Sequence, residues 1–329
     1  MTDNKHPLWV IPVVFLSVVI ILFAIRGNGR ANEFRWEMGI SERTGFSILS
    51  VNVGNSDLSC QKYDWKLCRK DVEGRLTENI ARLKPDIIAF QELLAPWQCE
   101  KTQETDPEKV CYDEQEEPQV RRLLGDDYSI VCDNHKHFEC TAVLNTAGEI
   151  IGCPIGSHCN LARTSPIDEG CRDRFSISAV TVKLRTGVTF DVVNMHPQNI
   201  TASCRSQLLR KAFLEEVPEV AIIQEAKVLL IGDFNLDPWR DNDESFIVWQ
   251  QIFQAGWDGQ PYQYHSGIAE KDPPYYTFKF VIKKTLDFAV SNFATGQIIV
   301  LGESPGTMRL DGGSGNDHRA LFGFLEFPP

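Results

Sequence analysis

Short apolar runs and helical patterns alternate at the start of the main part of the chain. The segments "FSILSVNV" (46–53) and "DIIAFQE" (86–92) are apolar and strand-like. Between them, Leu76 and Ile80 recur at helical spacing until Pro85 ends the pattern. This order of strand, helix and strand predicts two parallel strands joined by a right-handed crossover.

Strand patterns dominate the rest of the chain, with helices between some of them. The segments "RFSISAVTVKL" and "VTFDVVNMH" read as two strands around the turn Arg185-Thr186-Gly187. A helical pattern covers about 203–217, and a second one covers about 244–254. Further strand-like segments are "YSIVC", "ECTAVLN", "VLLIG", "YTFKF", "TLDFAVS", "QIIVL" and "ALFGFLEF".

One segment near the amino terminus is long and uniformly apolar. Residues 8–25 form 18 positions without a charge, about 27 Å as a helix, which nearly spans a bilayer. A signal peptide would usually have a shorter apolar region and a small-x-small cleavage site. The absence of a polar face disfavours a buried core helix. We therefore expect an uncleaved membrane anchor, with a cleaved signal peptide as the alternative.

The cysteine count bears on which side of the membrane the main domain lies. Arg26, Arg30 and Arg35 after the apolar segment would by themselves place the domain in the cytoplasm. Ten cysteines without a C-x-x-C spacing instead favour disulfides and an oxidising compartment, against the alternative of ten buried thiols. We therefore expect a periplasmic or extracellular domain. The ten are Cys60, Cys68, Cys99, Cys111, Cys132, Cys140, Cys153, Cys159, Cys171 and Cys204.

One cysteine pair can be argued from the predicted hairpin. Cys171 and Cys204 are nearly equidistant from the predicted hairpin turn, so they would lie opposite each other. The local pairs Cys60 with Cys68, Cys99 with Cys111 and Cys132 with Cys140 are also plausible, although sequence does not fix connectivity.

Several apolar runs end next to a polar side chain that suits a metal ion or a phosphate. In α/β sheets, strand ends are where ligands collect. Because side chains in a strand alternate with a period of two, we expect Asp233 and Asn235 to face one site. The alternatives are structural: a turn shaped by Asp233 and Asn235, a cap at Asp317 and a surface histidine at His318. The full set is Asn52, Glu92, His196, Asp233, Asn235, Asp287, Asp317 and His318.

The donor types in this set limit the chemistry. They are hard oxygen donors and two imidazoles, with no thiolate. This set favours Mg²⁺ over Zn²⁺, and Mn²⁺ and Ca²⁺ fit the same donors. Such an ion polarises a phosphoryl oxygen and neutralises developing charge. The set therefore indicates hydrolysis of phosphodiesters or phosphomonoesters. The formal charge of −12 argues against a broad basic surface that follows nucleic-acid phosphates.

Six ordered segments resemble the motifs of the endonuclease/exonuclease/phosphatase superfamily: "LSVNVG", "DIIAFQE", "VVNMH", "LIGDFN", "TLDFAV" and "NDHR". That superfamily includes deoxyribonuclease I, abasic-site endonucleases, neutral sphingomyelinases and inositol-phosphate phosphatases. The resemblance covers about residues 45–327. It implies an α/β (α+β) fold, a four-layer sandwich of two packed mixed β-sheets flanked by helices, here preceded by one N-terminal transmembrane helix.

The resemblance also implies a role for each site residue. Glu92 would be the principal metal ligand, with Asn52 and Asp317 near the same ion. Asp233 would orient or deprotonate the attacking water. Asn235 would bind the phosphate or a second metal ion. His318 would contact the phosphate, with Asp287 as its orienting carboxylate. His196 would donate to a phosphate oxygen.

Two further residues are implied less firmly as substrate contacts. Arg174 occupies a position where many relatives have a phosphate-contacting arginine, but an exposed strand-end charge is nearly as good an interpretation. Lys279 in "YTFKF" would meet phosphate in a segment that lines the substrate in many relatives. The substrate stays open between nucleic acid, which we favour slightly, a sphingomyelin-type phospholipid headgroup and inositol phosphates. A tethered binding module without activity is the alternative from a different class.

The chain is therefore expected to have four parts. Residues 1–7 are an N-terminal tail, 8–25 a transmembrane anchor, 26–44 a linker, and 45–329 an endonuclease/exonuclease/phosphatase domain. The expected partners are a phosphate-ester substrate and the membrane.

Overall fold

A computed structural model describes most of the predicted folded domain. The residues it describes belong to one compact unit, Glu42–Pro329. The predicted anchor at 8–25 lies outside the described residues and stays a prediction. Among the helices in the described ranges, none is long and apolar enough to cross a membrane. The described ranges are 44–54, 70–93, 118–133, 138–165, 170–171, 176–197, 201–214, 222–265, 276–279, 283–301 and 318–328.

Sixteen strands and four α-helices lie in these ranges. The first eight strands are β1 (Gly45–Asn52), β2 (Ile87–Leu93), β3 (Tyr128–Cys132), β4 (Phe138–Leu144), β5 (Gly148–Ile150), β6 (His158–Cys159), β7 (Arg163–Thr164) and β8 (Ile177–Leu184). The next eight are β9 (Thr189–Met195), β10 (Val228–Asp233), β11 (Gln263–Tyr264), β12 (Phe278–Lys279), β13 (Lys283–Lys284), β14 (Asp287–Ser291), β15 (Thr295–Val300) and β16 (Leu321–Glu326). The helices are α1 (Lys70–Leu83), α2 (Gln119–Leu124), α3 (Ala202–Phe213) and α4 (Glu244–Ala255), and a 3₁₀ turn covers Gly125–Asp127.

The strands form two large mixed sheets. Sheet 1 has the order β15-β16-β1-β2-β4-β3-β6, and sheet 2 has the order β11-β14-β10-β9-β8-β5, with β7 added beside β8. The predicted crossover is confirmed, because β1 and β2 are parallel, with Ile48 opposite Ile87. In sheet 2, β9 and β10 are the parallel pair. The carboxyl ends of β1, β2, β9 and β10 are the strand ends that carry the predicted site residues.

The two sheets pack face to face over one apolar core. Ile48 and Ala89 of sheet 1 share this core with Val193 and Ile231 of sheet 2, and each of the four side chains is almost completely buried. Burial of each isoleucine or valine side chain contributes roughly 1.5–3 kcal/mol. The predicted sandwich of two mixed sheets with helices is therefore confirmed.

Helices pack on both sheets. Helix α1 connects parallel β1 and β2 and buries Leu76 and Ile80, as its spacing predicts. Trp249 of α4 lies in the core beside Phe288 of sheet 2, with ring centroids 5.7 Å apart. Asp243 caps α4 by accepting hydrogen bonds from the backbone N–H groups of the first turn.

Three disulfides lie within the described residues, and two of them were predicted. Cys132 pairs with Cys140 across the β3–β4 hairpin, and Cys171 pairs with Cys204 near the two ends of the β8–β9 hairpin. The third joins Cys153 and Cys159. The predicted pairs Cys60 with Cys68 and Cys99 with Cys111 lie outside the described residues.

Candidate active site

Asn52 and Asp233 come from different sheets, and their side chains meet where the two strands end. Asn52 is the last residue of β1 and Asp233 is the last residue of β10, and both are buried. Asn52 Nδ2 donates to Asp233 Oδ2 at 3.0 Å, although the two residues are 181 positions apart. Sheet packing therefore produces the convergence that the strand-end pattern predicts.

Glu92 reaches the same place through a bulge in β2. Phe90 lies opposite Cys140 and Leu93 lies opposite Phe138, so two residues of β2 face one residue of β4. Regular alternation would put Glu92 on the face opposite to that of its neighbour Gln91. Glu92 instead has a φ of 59°, in the left-handed region, and its Oε1 lies 3.4 Å from Asn52 Nδ2.

His196 follows β9 and is completely buried between two glutamates. Its Nδ1 lies 2.5 Å from Glu139 Oε1, and its Nε2 lies 3.4 Å from Glu92 Oε1. Burial lowers the pKa of His196, but the adjacent Glu139 and Glu92 outweigh burial and raise that pKa well above its usual value. Burial also raises the pKa of Glu139, to about 8. The two glutamates therefore favour the protonated form of His196.

His318 forms a second histidine–carboxylate pair. Its Nδ1 lies 2.8 Å from Asp287 Oδ2, and its Nε2 lies 3.5 Å from Asp233 Oδ2. Asp287 is opposite Asp233 in the antiparallel β10–β14 ladder, which fixes this spacing. The predicted pairing of His318 with Asp287 therefore agrees with the geometry.

Asp233 is the group on which the others converge. Its Oδ2 also lies 3.8 Å from His196 Nε2. Burial raises the pKa of Asp233 to about 6, an effect that His318 opposes and Asp287 reinforces. A carboxylate with a pKa near neutrality can accept a proton from water more readily than an ordinary aspartate.

The backbone around Asp233 explains part of the motif "GDFN". Gly232 has a φ of 140°, and a Cβ at this position would lie 2.4 Å from the Met195 carbonyl oxygen, so only glycine fits. The expectation that strand alternation alone aligns Asp233 and Asn235 is wrong, because β10 ends at Asp233. Asn235 has a φ of 50° and donates from Nδ2 to the Pro197 carbonyl at 2.9 Å, next to His196. A turn therefore places it at the site.

Three predicted residues cannot be assigned a position for their side chains. Arg174 and Asp317 lie outside the described residues. Lys279 belongs to the short β12–β13 hairpin, which is separate from the two large sheets, and only its backbone is described. Their roles stay predictions.

Two site residues were missed from the sequence. Glu139 is the second residue of β4 rather than the last residue of a strand, but β4 runs antiparallel to β2, so its first residues lie at the same edge as the end of β2. A charged residue inside the apolar segment "FECTAVL" was the available signal. Thr277 is the other: its Oγ1 accepts hydrogen bonds from the backbone N–H groups of Leu286 and Asp287 and so fixes the start of β14.

The described donors fit a hard divalent cation. Glu92 Oε1 and Asp233 Oδ2 both lie next to Asn52 Nδ2, at 3.4 and 3.0 Å. Asp233, Asp287 and His318 each place one ligand atom within 4.8 Å of the others. Carboxylate and amide oxygens suit Mg²⁺ and Mn²⁺, and a cation would offset the repulsion among these carboxylates. Thiolate ligands are not available within the described ranges, because the six cysteines there are in disulfides.

Sequence comparisons do not identify the chain. No protein-family model matches it, and no curated protein matches it.

Solved structures match it in fold. TDP2 from D. rerio, complexed with a single-strand DNA product, is 14% identical with a TM-score of 0.52, and the match covers 86% of this chain and 99% of that one. An endonuclease/exonuclease/phosphatase family protein from Bacteroides thetaiotaomicron is 13% identical with a TM-score of 0.55, covering 88% and 100%. A mannosyl-6-phosphatase from the same species is 12% identical with a TM-score of 0.55, covering 86% and 100%. The chain therefore has the fold of the endonuclease/exonuclease/phosphatase superfamily.

Proposed function

We propose that the chain is a Mg²⁺-dependent phosphodiesterase that hydrolyses P–O bonds by attack of water, with nucleic acid as the substrate class. One observation supports this above all others. Asp233 Oδ2 lies within 4 Å of the Nε2 atoms of His196 and His318. The Nδ1 atom of each imidazole lies within hydrogen-bond distance of a carboxylate, that of Glu139 or of Asp287 respectively. This arrangement brings together one proton acceptor and two proton donors, all of them buried.

The roles follow from the positions of the protons. Asp233 accepts a proton from the attacking water, and its raised pKa suits that role. Asp287 holds His318 by Nδ1 and Glu139 holds His196 by Nδ1, so both Nε2 atoms are directed towards the site. Each Nε2 can donate to an oxygen of the phosphoryl group or of the leaving group.

Metal binding is assigned to Glu92, with the predicted contributions of Asn52 and Asp317. Asn52 directs its Nδ2 at Glu92 and Asp233 while its Oδ1 accepts from the Gly54 N–H at 3.0 Å, so ligation by Asn52 would require the opposite orientation of this amide. A divalent cation held there would polarise the phosphoryl oxygen and neutralise charge that develops in the transition state. Asn235 lies beside His196 through its hydrogen bond to Pro197 and would contact the phosphate.

The choice of nucleic acid rests on the D. rerio TDP2 neighbour, whose structure contains a single-strand DNA product. A net charge of −12 disfavours a long basic groove. We therefore propose recognition of one or a few phosphates at the site, with little reading of bases.

We also propose that residues 8–25 anchor the enzyme in a membrane with the catalytic domain on the periplasmic or extracellular side. The three disulfides within the described ranges support an oxidising compartment. External protease should digest the domain in intact cells. Complete protection would place the domain in the cytoplasm instead.

The enzymatic proposal is tested with the full chain, purified in detergent without reductant. Single-stranded DNA, RNA, sphingomyelin, inositol phosphates and p-nitrophenyl phosphate are each assayed with Mg²⁺ and with EDTA. We expect Mg²⁺-dependent hydrolysis, fastest on nucleic acid. If sphingomyelin or a phosphomonoester is hydrolysed faster than nucleic acid, the proposed substrate class is wrong. If none of these compounds is hydrolysed, a binding module without activity is favoured.

Two variants test the site itself. Glu92→Gln and His318→Gln should each lower kcat by at least about 10²-fold, because each removes electrostatic or proton-transfer assistance. Asp258→Asn is the matched control, since Asp258 is exposed and asparagine tolerates its φ of 50°. Unchanged kcat in both site variants would contradict the assignment.

A further inference from the structure

Asn194 is a buried amide in sheet 2 that contacts two strands of sheet 1. It lies in β9, two residues before His196, and it is completely buried. Its Nδ2 donates to the Phe90 carbonyl at 2.9 Å and to the Cys140 carbonyl at 3.2 Å. One side chain therefore joins β9 to both β2 and β4.

The two carbonyls mark the place where the β2–β4 register shifts. Phe90 and Cys140 are the last paired residues before the bulge of β2. Beyond them, Gln91 and Glu92 lie opposite Glu139 alone. The hydrogen bonds of Asn194 thus bind both strands at the point where their own ladder is interrupted.

A second amide fixes the orientation of the first. Gln91 Nε2 donates to Asn194 Oδ1 at 2.6 Å, and Gln91 is completely buried. Because Asn194 Oδ1 accepts this bond, both hydrogens of Nδ2 remain for the two carbonyls, and a flipped amide would lose all three bonds. The pair Gln91–Asn194 is therefore a single hydrogen-bonded unit that spans the two sheets.

We propose that Asn194 is a positioning residue that holds the β2 bulge and thereby directs Glu92 and Glu139 into the site. The bulge gives Glu92 its left-handed backbone and brings its carboxylate to 3.4 Å from His196 Nε2. It also leaves Glu139 alone opposite the bulge, where it holds His196. The inference rests on the proposed function only in assigning Glu92 to the metal.

Asn194→Leu removes the three hydrogen bonds and keeps the approximate volume. We expect the variant to bind Mn²⁺, measured by calorimetry, at least about 10-fold more weakly, as loss of groups that orient metal ligands usually does. We expect kcat to fall at least about 10-fold while KM changes less than about threefold, because Asn194 is not directed at the substrate.

Asn292→Leu is the matched control. Asn292 Oδ1 accepts from the Val228 N–H at 2.8 Å, and its Nδ2 donates to the carbonyls of Ala226 and Trp257 at 2.7 and 3.4 Å. It thus also accepts one hydrogen bond and donates two, at the opposite end of β10 and in a partly buried position. We expect Asn292→Leu to lower Tm, as Asn194→Leu does, but to leave Mn²⁺ affinity and kcat within about twofold of the wild type.

A milder variant covers the case in which Asn194→Leu does not fold. Gln91→Met keeps the Asn194 side chain but removes the donor that orients it, so we expect Mn²⁺ affinity to fall about threefold or more. Mn²⁺ affinities equal to that of Asn292→Leu in every folded variant would overturn the inference. If the wild type hydrolyses no substrate and Asn194→Leu still weakens Mn²⁺ binding, the inference stands and the proposed function fails.

Discussion

Replacing Asp233 with asparagine should stabilise the metal-free protein while it removes the activity. Burial raises the pKa of Asp233 from its ordinary value of 3.8 to about 6. The difference between these values means that ionised Asp233 costs the folded state about 3 kcal/mol at pH 8. The neutral amide avoids that cost.

The substitution also carries a penalty of its own. Asp233 Oδ2 accepts a hydrogen bond from Asn52 Nδ2, and an NH₂ group in that place would oppose another donor, which costs about 1 kcal/mol. The bond from the Asn235 N–H to Oδ1 is retained. At pH 8 without metal, we therefore expect Asp233→Asn to raise the free energy of unfolding by about 1–2 kcal/mol, which corresponds to a rise in Tm of roughly 2–8 °C for a domain of this size.

The sign of the effect depends on pH. When folding raises the pKa of a carboxyl, the full destabilisation is present at pH values above the pKa in the folded state. It is absent at pH values below the pKa in the unfolded state. The advantage of Asp233→Asn should therefore decline from pH 6 to pH 4 and reverse below that range, where only the lost hydrogen bond remains.

The assay is thermal unfolding in EDTA between pH 4 and pH 8, repeated with Mg²⁺. Mg²⁺ should raise the Tm of the wild type more than that of the variant, and kcat of the variant should be at least about 10²-fold lower. Asp258→Asn serves again as the exposed control. If Asp233→Asn were less stable than the wild type by the same amount at pH 5 and pH 8, the reasoning about the buried charge would be refuted.

Three further predictions concern groups around the site. Glu139→Gln should lower kcat about 10-fold and move the basic limb of the pH–rate profile to lower pH, because it removes the charge that raises the pKa of the adjacent histidine. Gly232→Ala should destabilise the protein by about 3 kcal/mol or more in urea unfolding, since its Cβ would meet the Met195 carbonyl. Replacing Cys171 and Cys204 together by serine should cost about 3–4 kcal/mol, because their sequence separation is 33 residues.

Each of these has a result that would contradict it. An unshifted pH profile in Glu139→Gln would mean that Glu139 is only structural. Gly74→Ala in α1, where an added Cβ would meet nothing within 4 Å, is the unstrained comparison for Gly232→Ala, and an equal loss of stability in both variants would contradict the steric argument. Loss of the Cys153–Cys159 disulfide, with a separation of only 6 residues, should cost less than loss of Cys171–Cys204.

Local sequence patterns predict the long strands and the helices α1, α3 and α4, and they point to most residues of the candidate site. Period-two and helical patterns are local, so the strand at Ile87–Leu93 and the helix at Lys70–Leu83 could be predicted with accurate limits. Polar residues at the ends of apolar runs, such as Asn52 and Asp233, pointed to the site, because strand ends in such sheets gather at one edge.

Tertiary structure alone decided how those residues meet. The bulge that turns Glu92 into the site depends on Asn194, a residue of the other sheet, and no local pattern encodes a contact across 104 positions. Glu139 was missed because the second residue of a strand reaches this edge only if that strand runs antiparallel to its neighbour, and strand direction is a property of the whole sheet. Asp287, at the start of β14, was found through the motif "TLDFAV" and not through strand direction. The raised pKa of Asp233 likewise comes from burial between the sheets, which the chain acquires only when they pack.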